Sequence, residues 1–194
     1  MPICLGVACG GPPPIAPEWT PQDIAAGGKA DSNTETGWGC IASLGDPNAP
    51  LCNLHDVSPG IYRGARPSPV GMKQLSDMGV KYLLNLELPP LQSERDDAAM
   101  YGITDVEKPM RWDWFVDDSE INDDMAIMAD PNQRPIYVHC SLGKDRTGLI
   151  IGLHRVINEG WTKADAYNEM TTRGFRLTDV FLYEYFWQKT SGYP

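Results

Sequence analysis

The chain has 194 residues, with 16 Lys or Arg against 26 Asp or Glu, for a formal net charge of −10 at pH 7. That length suits one domain plus an extension, with enough chain to bury a core, and the acidic balance argues against nucleic-acid partners and bulk attraction to anionic membranes. No apolar run is long enough to span a bilayer, and three His without any Cys-x-x-Cys pair argue against a metal site.

Residues 1–50 lack periodicity and are rich in Gly and Pro, as in Gly10-Gly11-Pro12-Pro13-Pro14 and the polar run Asp31-Ser32-Asn33-Thr34. They read as an extension packed on the domain, anchored by Trp19 and Trp38, and bordering the active-site cleft in the sharper version of that reading. The domain proper runs over 51–194. The N-terminus lacks a basic segment and its apolar stretch is broken by Gly and Pro, so it does not read as a secretion signal. Five cysteines leave one unpaired. Cys4 with Cys9, or Cys40 with Cys52, would pair in an oxidising compartment, but the expected location is cytoplasmic and the expected state a monomer.

From Leu51 the elements become readable. Ser68 and Pro69 open a helix with apolar Met72, Leu75 and Met78, closed by Gly79. Lys81 to Leu88 is strand-like, Ser93 caps a helix to Met100 closed by Gly102, and Ile103 to Val106 and Pro135 to His139 are further strands. Strands alternating with helices predict an α/β fold, a mostly parallel central sheet flanked by helices. Helices are also expected over Thr147 to Asn158, stopped by Gly160, and over Lys163 to Arg173, capped by Thr162 with Asp165 and stopped by Gly174. A last helix from Thr178 carries Val180, Phe181, Tyr183, Tyr185, Phe186 and Trp187 as core packing.

The chemistry concentrates in His139-Cys-Ser-Leu-Gly-Lys-Asp-Arg-Thr-Gly148, between the apolar run 135–138 and the apolar helix that follows. Such a strand–loop–helix turn is an anion site, because the first amides of a helix have no partner within it and the dipole's positive end faces outward. Cys140 and Arg146, with five residues between them, address the same small ligand. A thiolate facing several N–H groups is stabilised and needs no separate base, and a guanidinium fork holds two phosphoryl oxygens at once. Gly143 lets the backbone turn its amides inward, Gly148 lets the helix pack closely, and Thr147 offers a hydroxyl to the departing sulfur.

This stretch resembles the signature of the cysteine-dependent phosphatase superfamily of protein tyrosine and dual-specificity phosphatases, matching at His139, Cys140, Gly143, Arg146, Thr147 and Gly148. Residues 55–68 (His-Asp-Val-Ser-Pro-Gly-Ile-Tyr-Arg-Gly-Ala-Arg-Pro-Ser) and 79–86 are similar to the atypical dual-specificity branch, so the likeness covers roughly 50–190. It implies a dual-specificity-phosphatase-like α/β sandwich and a metal- and cofactor-independent hydrolysis through a phosphocysteine. Cys140 is then the nucleophile and Arg146 the transition-state clamp, and Ser141, Leu142, Gly143, Lys144, Asp145 and Thr147 bind the phosphate. Rhodanese-type and arsenate-reductase loops lack this combination of His-Cys and Arg-Thr-Gly. An inactive phosphate-binding module is disfavoured by the retention of both Cys140 and Arg146.

The resemblance also implies an Asp upstream of the Cys as proton donor. Asp113, set between Trp112 and Trp114, is the choice, because apolar surroundings keep a carboxyl protonated. Asp117, Asp118 and Asp145 are alternatives, with Asp118 more simply a helix cap. Arg63, Arg66, Lys108, Arg111, Lys144 and Arg176 are candidates for a basic pocket. On the strength of Lys144 the expected substrates are inositol polyphosphates or phosphoinositides, with phosphotyrosine protein second.

Overall fold

A computed structural model describes residues 45–111 and 115–194. Its centre is β5 (Ile136–Cys140), all five residues of which are buried. A strand buried on both faces must be covered from both sides, and two hydrophobic clusters do this. On one face Ile136, Val138 and Leu84 meet Ile121, Leu149, Leu153, Met170 and Phe186; on the other Tyr137 and Leu83 meet Met72, Leu75, Ala98 and Ile103. The two-residue alternation along β5 sends Val138 and Tyr137 to opposite layers.

The sheet order is β1-β2-β5-β3-β4, with β1 (His55–Ser58) antiparallel to β2 (Ile61–Ala65). The other neighbours, β3 (Tyr82–Asn85) and β4 (Thr104–Glu107) included, are parallel, so the expected α/β class with a mostly parallel sheet is what the fold has. Ala65 stands opposite Cys140 and Asn85 opposite His139, which brings the carboxyl ends of three strands to one edge. Helices α1 (Pro69–Asp77) and α2 (Gln92–Met100) supply one layer. The other holds α3 (Asp118–Ala129), α4 (Asp145–Ile157), α5 (Lys163–Thr172) and α6 (Val180–Lys189). Among the described residues no helix is long and apolar enough to cross a membrane.

Local chemistry accounts for most boundaries. The Ser68 hydroxyl accepts from the Gly71 amide at 3.0 Å, with Pro69 in the first turn. Thr162 Oγ1 accepts from Asp165 N at 3.1 Å and donates to its carboxylate at 2.6 Å. Of the α6 residues expected to pack, Phe186 is fully buried and Tyr183 and Trp187 lie 5.7 and 5.4 Å from Tyr167 between ring centroids, whereas Val180 and Phe181 are exposed because they fall on the outward side of the first turn.

Several boundaries differ from expectation. The β1–β2 hairpin was not foreseen, because its residues alternate poorly and include Arg63, which is fully buried. The strand expected over 81–88 closes at Asn85. Leu91, not Ser93, is the N-cap of α2, and it makes no side-chain bond. α4 starts at Asp145, two residues before Thr147, and α6 follows Asp179 rather than Thr178. Asp117 caps α3 and Asp118 lies inside it. The anchoring role of Trp19 and Trp38, and Cys4, Cys9 and Cys40 with their pairings, lie outside the described residues. Cys52 is disulfide-bonded, and Cys140 is the free cysteine among the described residues.

Candidate active site

Cys140 closes β5, is 4% exposed, and leads through Ser141, Leu142, Gly143 and Lys144 into α4. Gly143 has φ +67, and a Cβ there would overlap the backbone of Gly64 and lie 2.6 Å from Ala65 N. Glycine is therefore required twice over, for conformation and for space. Lys144, the N-cap of α4, makes no capping bond, so no side chain at that position occupies the first amides of the helix. Phe175 covers Gly148, where a Cβ would lie 3.2 Å from its ring.

Two β2-side groups fasten the loop from behind. Asn53 Nδ2 donates to the carbonyls of Leu142 and Gly143 at 3.3 and 3.1 Å, and Arg63 Nη2 donates to Gly143 O at 2.9 Å. With its carbonyls drawn backward, the loop is left to present N–H groups forward. Arg146 Nη1 donates to Leu86 O at 2.9 Å, which parks the guanidinium at the end of β3. Thr147 is buried, and its hydroxyl has no hydrogen-bond partner among the described residues.

Beneath Cys140, His139 is fully buried, stacks on Tyr137 with centroids 5.7 Å apart, and lies 3.1 Å from Glu94 Oε1. Burial lowers the imidazole to about 3. Burial, with Asp105 and Glu87 adding repulsion, raises the Glu94 carboxyl to about 8. Burial thus pushes both members of the pair toward their uncharged forms, although their separation is that of an ion pair. Asn85 links Glu94 to the backbone of Glu87, and Glu87 pairs with Arg66 at 2.7 Å.

The proton-donor candidates are separated by their surroundings. Asp113 lies outside the described residues. Asp117 accepts from Ser119 N and Oγ at 2.7 and 2.6 Å, and the Ser119 hydroxyl in particular holds its carboxyl below the ordinary range. Asp118 is bonded by Tyr185 Oη and by Lys189 Nζ at 3.0 Å, and Tyr185 leads in holding it low. Asp145 is engaged by Arg176 through an ion pair of 2.8 Å.

The expected basic pocket is largely neutralised. Arg66 pairs with Glu87, Lys108 with Asp123 at 2.8 Å, and Arg176 with both Asp145 and Asp179. Arg63 and Lys144 are buried, and burial lowers the Lys144 ammonium. Sequence reasoning did not single out Asn53 or Glu94. No local signal marks them: Asn53 precedes β1 and Glu94 lies within α2, and each meets its partner only through the fold.

The sequence model of a tyrosine phosphatase family matches residues 49–176. The dual specificity protein phosphatase TpbA of Pseudomonas aeruginosa is 32% identical over 130 residues, covering 65% of this chain and 56% of that protein. The inositol diphosphatase DSP3 of Arabidopsis thaliana is 28% identical, covering 64% of each chain. This chain thus spans little more than half the length of the first of these relatives. Among solved structures, the catalytic core of the PP-IP phosphatase SIW14 from S. cerevisiae superposes with TM-score 0.63 at 24% identity, over 69% of this chain and 85% of that one. P. aeruginosa TpbA superposes with TM-score 0.60 at 26% identity, over 69% and 83%. The family match, two thirds of the chain long, takes in both the β1–β2 hairpin and the loop from Cys140 to Arg146, and the chain belongs to the tyrosine phosphatase family.

Proposed function

We propose that the chain hydrolyses phosphomonoesters through a phosphocysteine. The observation that carries this reading is the free thiol of Cys140 at the mouth of a helix whose N-cap residue makes no side-chain capping bond, with the Arg146 guanidinium held at the same edge by Leu86 O. Cys140 Sγ attacks phosphorus, an S–P bond forms and the P–O bond to the leaving group breaks. Asp113 supplies the proton that leaves with the alcohol. Water then attacks phosphorus, Asp113 takes its proton, and the S–P bond breaks to release inorganic phosphate and the thiolate. The loop amides and Arg146 stabilise the charge on the equatorial oxygens in both steps, and the Thr147 hydroxyl eases the departure of sulfur.

For the substrate we place a single phosphate on an aryl or alkyl carrier, phosphotyrosine above all, ahead of inositol polyphosphates. A polyanion needs several unshared cations, whereas Arg66, Lys108 and Arg176 are paired with carboxylates and Lys144 is buried. Exposed Leu88, Leu177, Val180 and Phe181 follow Leu86 and Arg176 closely in the chain and offer apolar surface for an aromatic ester. The inositol reading keeps the support of the likeness to DSP3.

Phosphate release from a phosphotyrosine peptide, inositol hexakisphosphate and a soluble phosphoinositide, beside Cys140→Ser, tests both parts. The peptide is expected to have the highest kcat/KM. A higher value for the inositol compounds overturns the substrate assignment, and release by Cys140→Ser equal to wild type overturns the mechanism.

A further inference from the structure

Among the described residues Arg63 is the largest fully buried polar side chain, yet it makes one hydrogen bond with them, to Gly143 O, and no ion pair. Among the described residues its Nε and Nη1 have no acceptor. The carboxylate that acts most strongly to compensate it, Glu169, spends both oxygens on Arg155 at 2.8 and 2.9 Å. A Cβ on Gly148 would lie 3.8 Å from Arg63 Nη2, so the guanidinium sits behind the loop and against the first turn of α4. It therefore adds a cation where the helix dipole is already positive, an arrangement that disfavours the empty fold and is relieved by an anion in the loop.

A second oddity stands beside it. Asn53 is the one non-glycine residue with positive φ among those described, at +53, and it is buried. A strained backbone of this kind persists where its surroundings impose it. What it secures is the placement of the amide: Nδ2 reaches Leu142 O and Gly143 O, while Oδ1 meets His55 Nε2 at 3.1 Å. The groups facing Arg63 are consistent with its being charged. Burial lowers it only to about 10, with Glu169 and Cys140 acting to raise it and Arg173 and Arg155 to lower it.

We propose that Arg63 and Asn53 are positioning residues of the phosphate loop: together they pull the Leu142 and Gly143 carbonyls back so that the amides face forward, and the unshared charge of Arg63 favours the anionic loop, thiolate or phosphate-bound. This rests on the phosphatase reading of the site. Neither residue touches substrate; both act through the loop.

The test reads Cys140 without turnover. Alkylation of Cys140 by iodoacetamide, followed by peptide mass spectrometry, is measured across pH 5–9 with and without inorganic phosphate, in wild type, Arg63→Met, Arg63→Lys and Asn53→Gly. Arg63→Met should shift the alkylation profile to higher pH, slowing the reaction about tenfold on the acid side, and should weaken phosphate protection by a similar factor. Arg63→Lys keeps the charge and should restore most of the profile. Asn53→Gly suits the positive φ while deleting the amide, and should weaken phosphate protection with little loss of melting temperature. Profiles and protection equal to wild type in Arg63→Met and Asn53→Gly, with only a lower melting temperature, would overturn the inference while leaving aryl phosphate turnover intact. Absence of both phosphate protection and turnover in the wild type would overturn the phosphatase reading itself, and the inference with it.

Discussion

Asp145 and Arg176 are joined by more than an ion pair: the Asp145 carboxylate receives the Arg176 main-chain N–H at 2.9 Å, Nη2 at 2.8 Å and Nε at 3.1 Å. The start of α4 is thereby tied to the turn before α6, and Asp179 holds the same guanidinium at 3.1 Å. A carboxylate occupied in this way anchors the phosphate loop and is poorly placed to give up a proton to a leaving group.

Asp145→Asn is accordingly expected to lower kcat/KM for aryl and alkyl esters by the same factor. Because Arg176 is partly exposed, the loss of stability should be modest, about 1 kcal/mol in urea unfolding. A loss confined to esters with poor leaving groups would instead make Asp145 the acid.

For Asp113→Asn the dependence on leaving group should be strong. General acid catalysis contributes about 10²–10⁴-fold, and the whole of that factor should be lost on an alkyl phosphate. A p-nitrophenyl ester, whose leaving group needs little protonation, should lose far less. Comparison of kcat on the two substrates checks this, with Asp117→Asn as the control that should leave both values within about twofold, since exposed surface changes have small effects.

Gly143→Ala meets two penalties at once, a left-handed φ of +67 and overlap with the Gly64 backbone. Each costs about 1–3 kcal/mol, so the variant should melt well below wild type and lose phosphate protection of Cys140. Circular dichroism melts with and without phosphate read both effects. A variant melting within a degree of wild type would contradict the geometry of the loop.

Stability should peak in mildly acidic solution, through the buried groups Glu94, Asp124 and His139. Glu94 is raised from 4.5 to about 8 and Asp124 from 3.8 to about 8, both chiefly by burial. For a carboxyl raised on folding, the folded state holds the extra proton, so stability is greatest below the unfolded value and falls as pH rises toward 8. His139 is lowered from 6.5 to about 3, so the unfolded state holds the extra proton and stability rises with pH from 3 to 6.5. Above pH 6.5 only the carboxyls act, and the melting temperature should drop between pH 6.5 and 8.5. Glu94→Gln removes one of them and should flatten that decline, by an amount on the order of 1–2 kcal/mol at pH 8.5. A steeper decline in the variant would contradict the assignment.

How much of this was legible depends on the range of the interactions. Ser68, Gly79, Thr162 and Gly174 act through neighbours within four residues, and the helices they bound lie close to where those residues predict. The span from Cys140 to Arg146 is likewise local, since a strand, a tight loop and a helix start impose the geometry. Arg63, Asn53 and Glu94 act across 80, 90 and 45 positions on Gly143 and His139, and nothing in their own neighbourhoods marks them. Arg63 in particular reads as a surface cation until the β2–β5 pairing carries it beneath the loop. Ser93 has the chemistry of a cap, yet α2 begins at Gln92 with Leu91 at the N-cap, so Ser93 lies inside the first turn.

The central claim is a covalent phosphocysteine at Cys140. The most direct measurement is rapid acid quench of the enzyme during turnover of a radiolabelled aryl phosphate, with peptide mapping of the label. The account predicts label on the peptide carrying Cys140, more of it in Asp113→Asn as hydrolysis of the intermediate slows, and none in Cys140→Ser. Turnover at the wild-type rate by Cys140→Ser, or label on another residue, would contradict it.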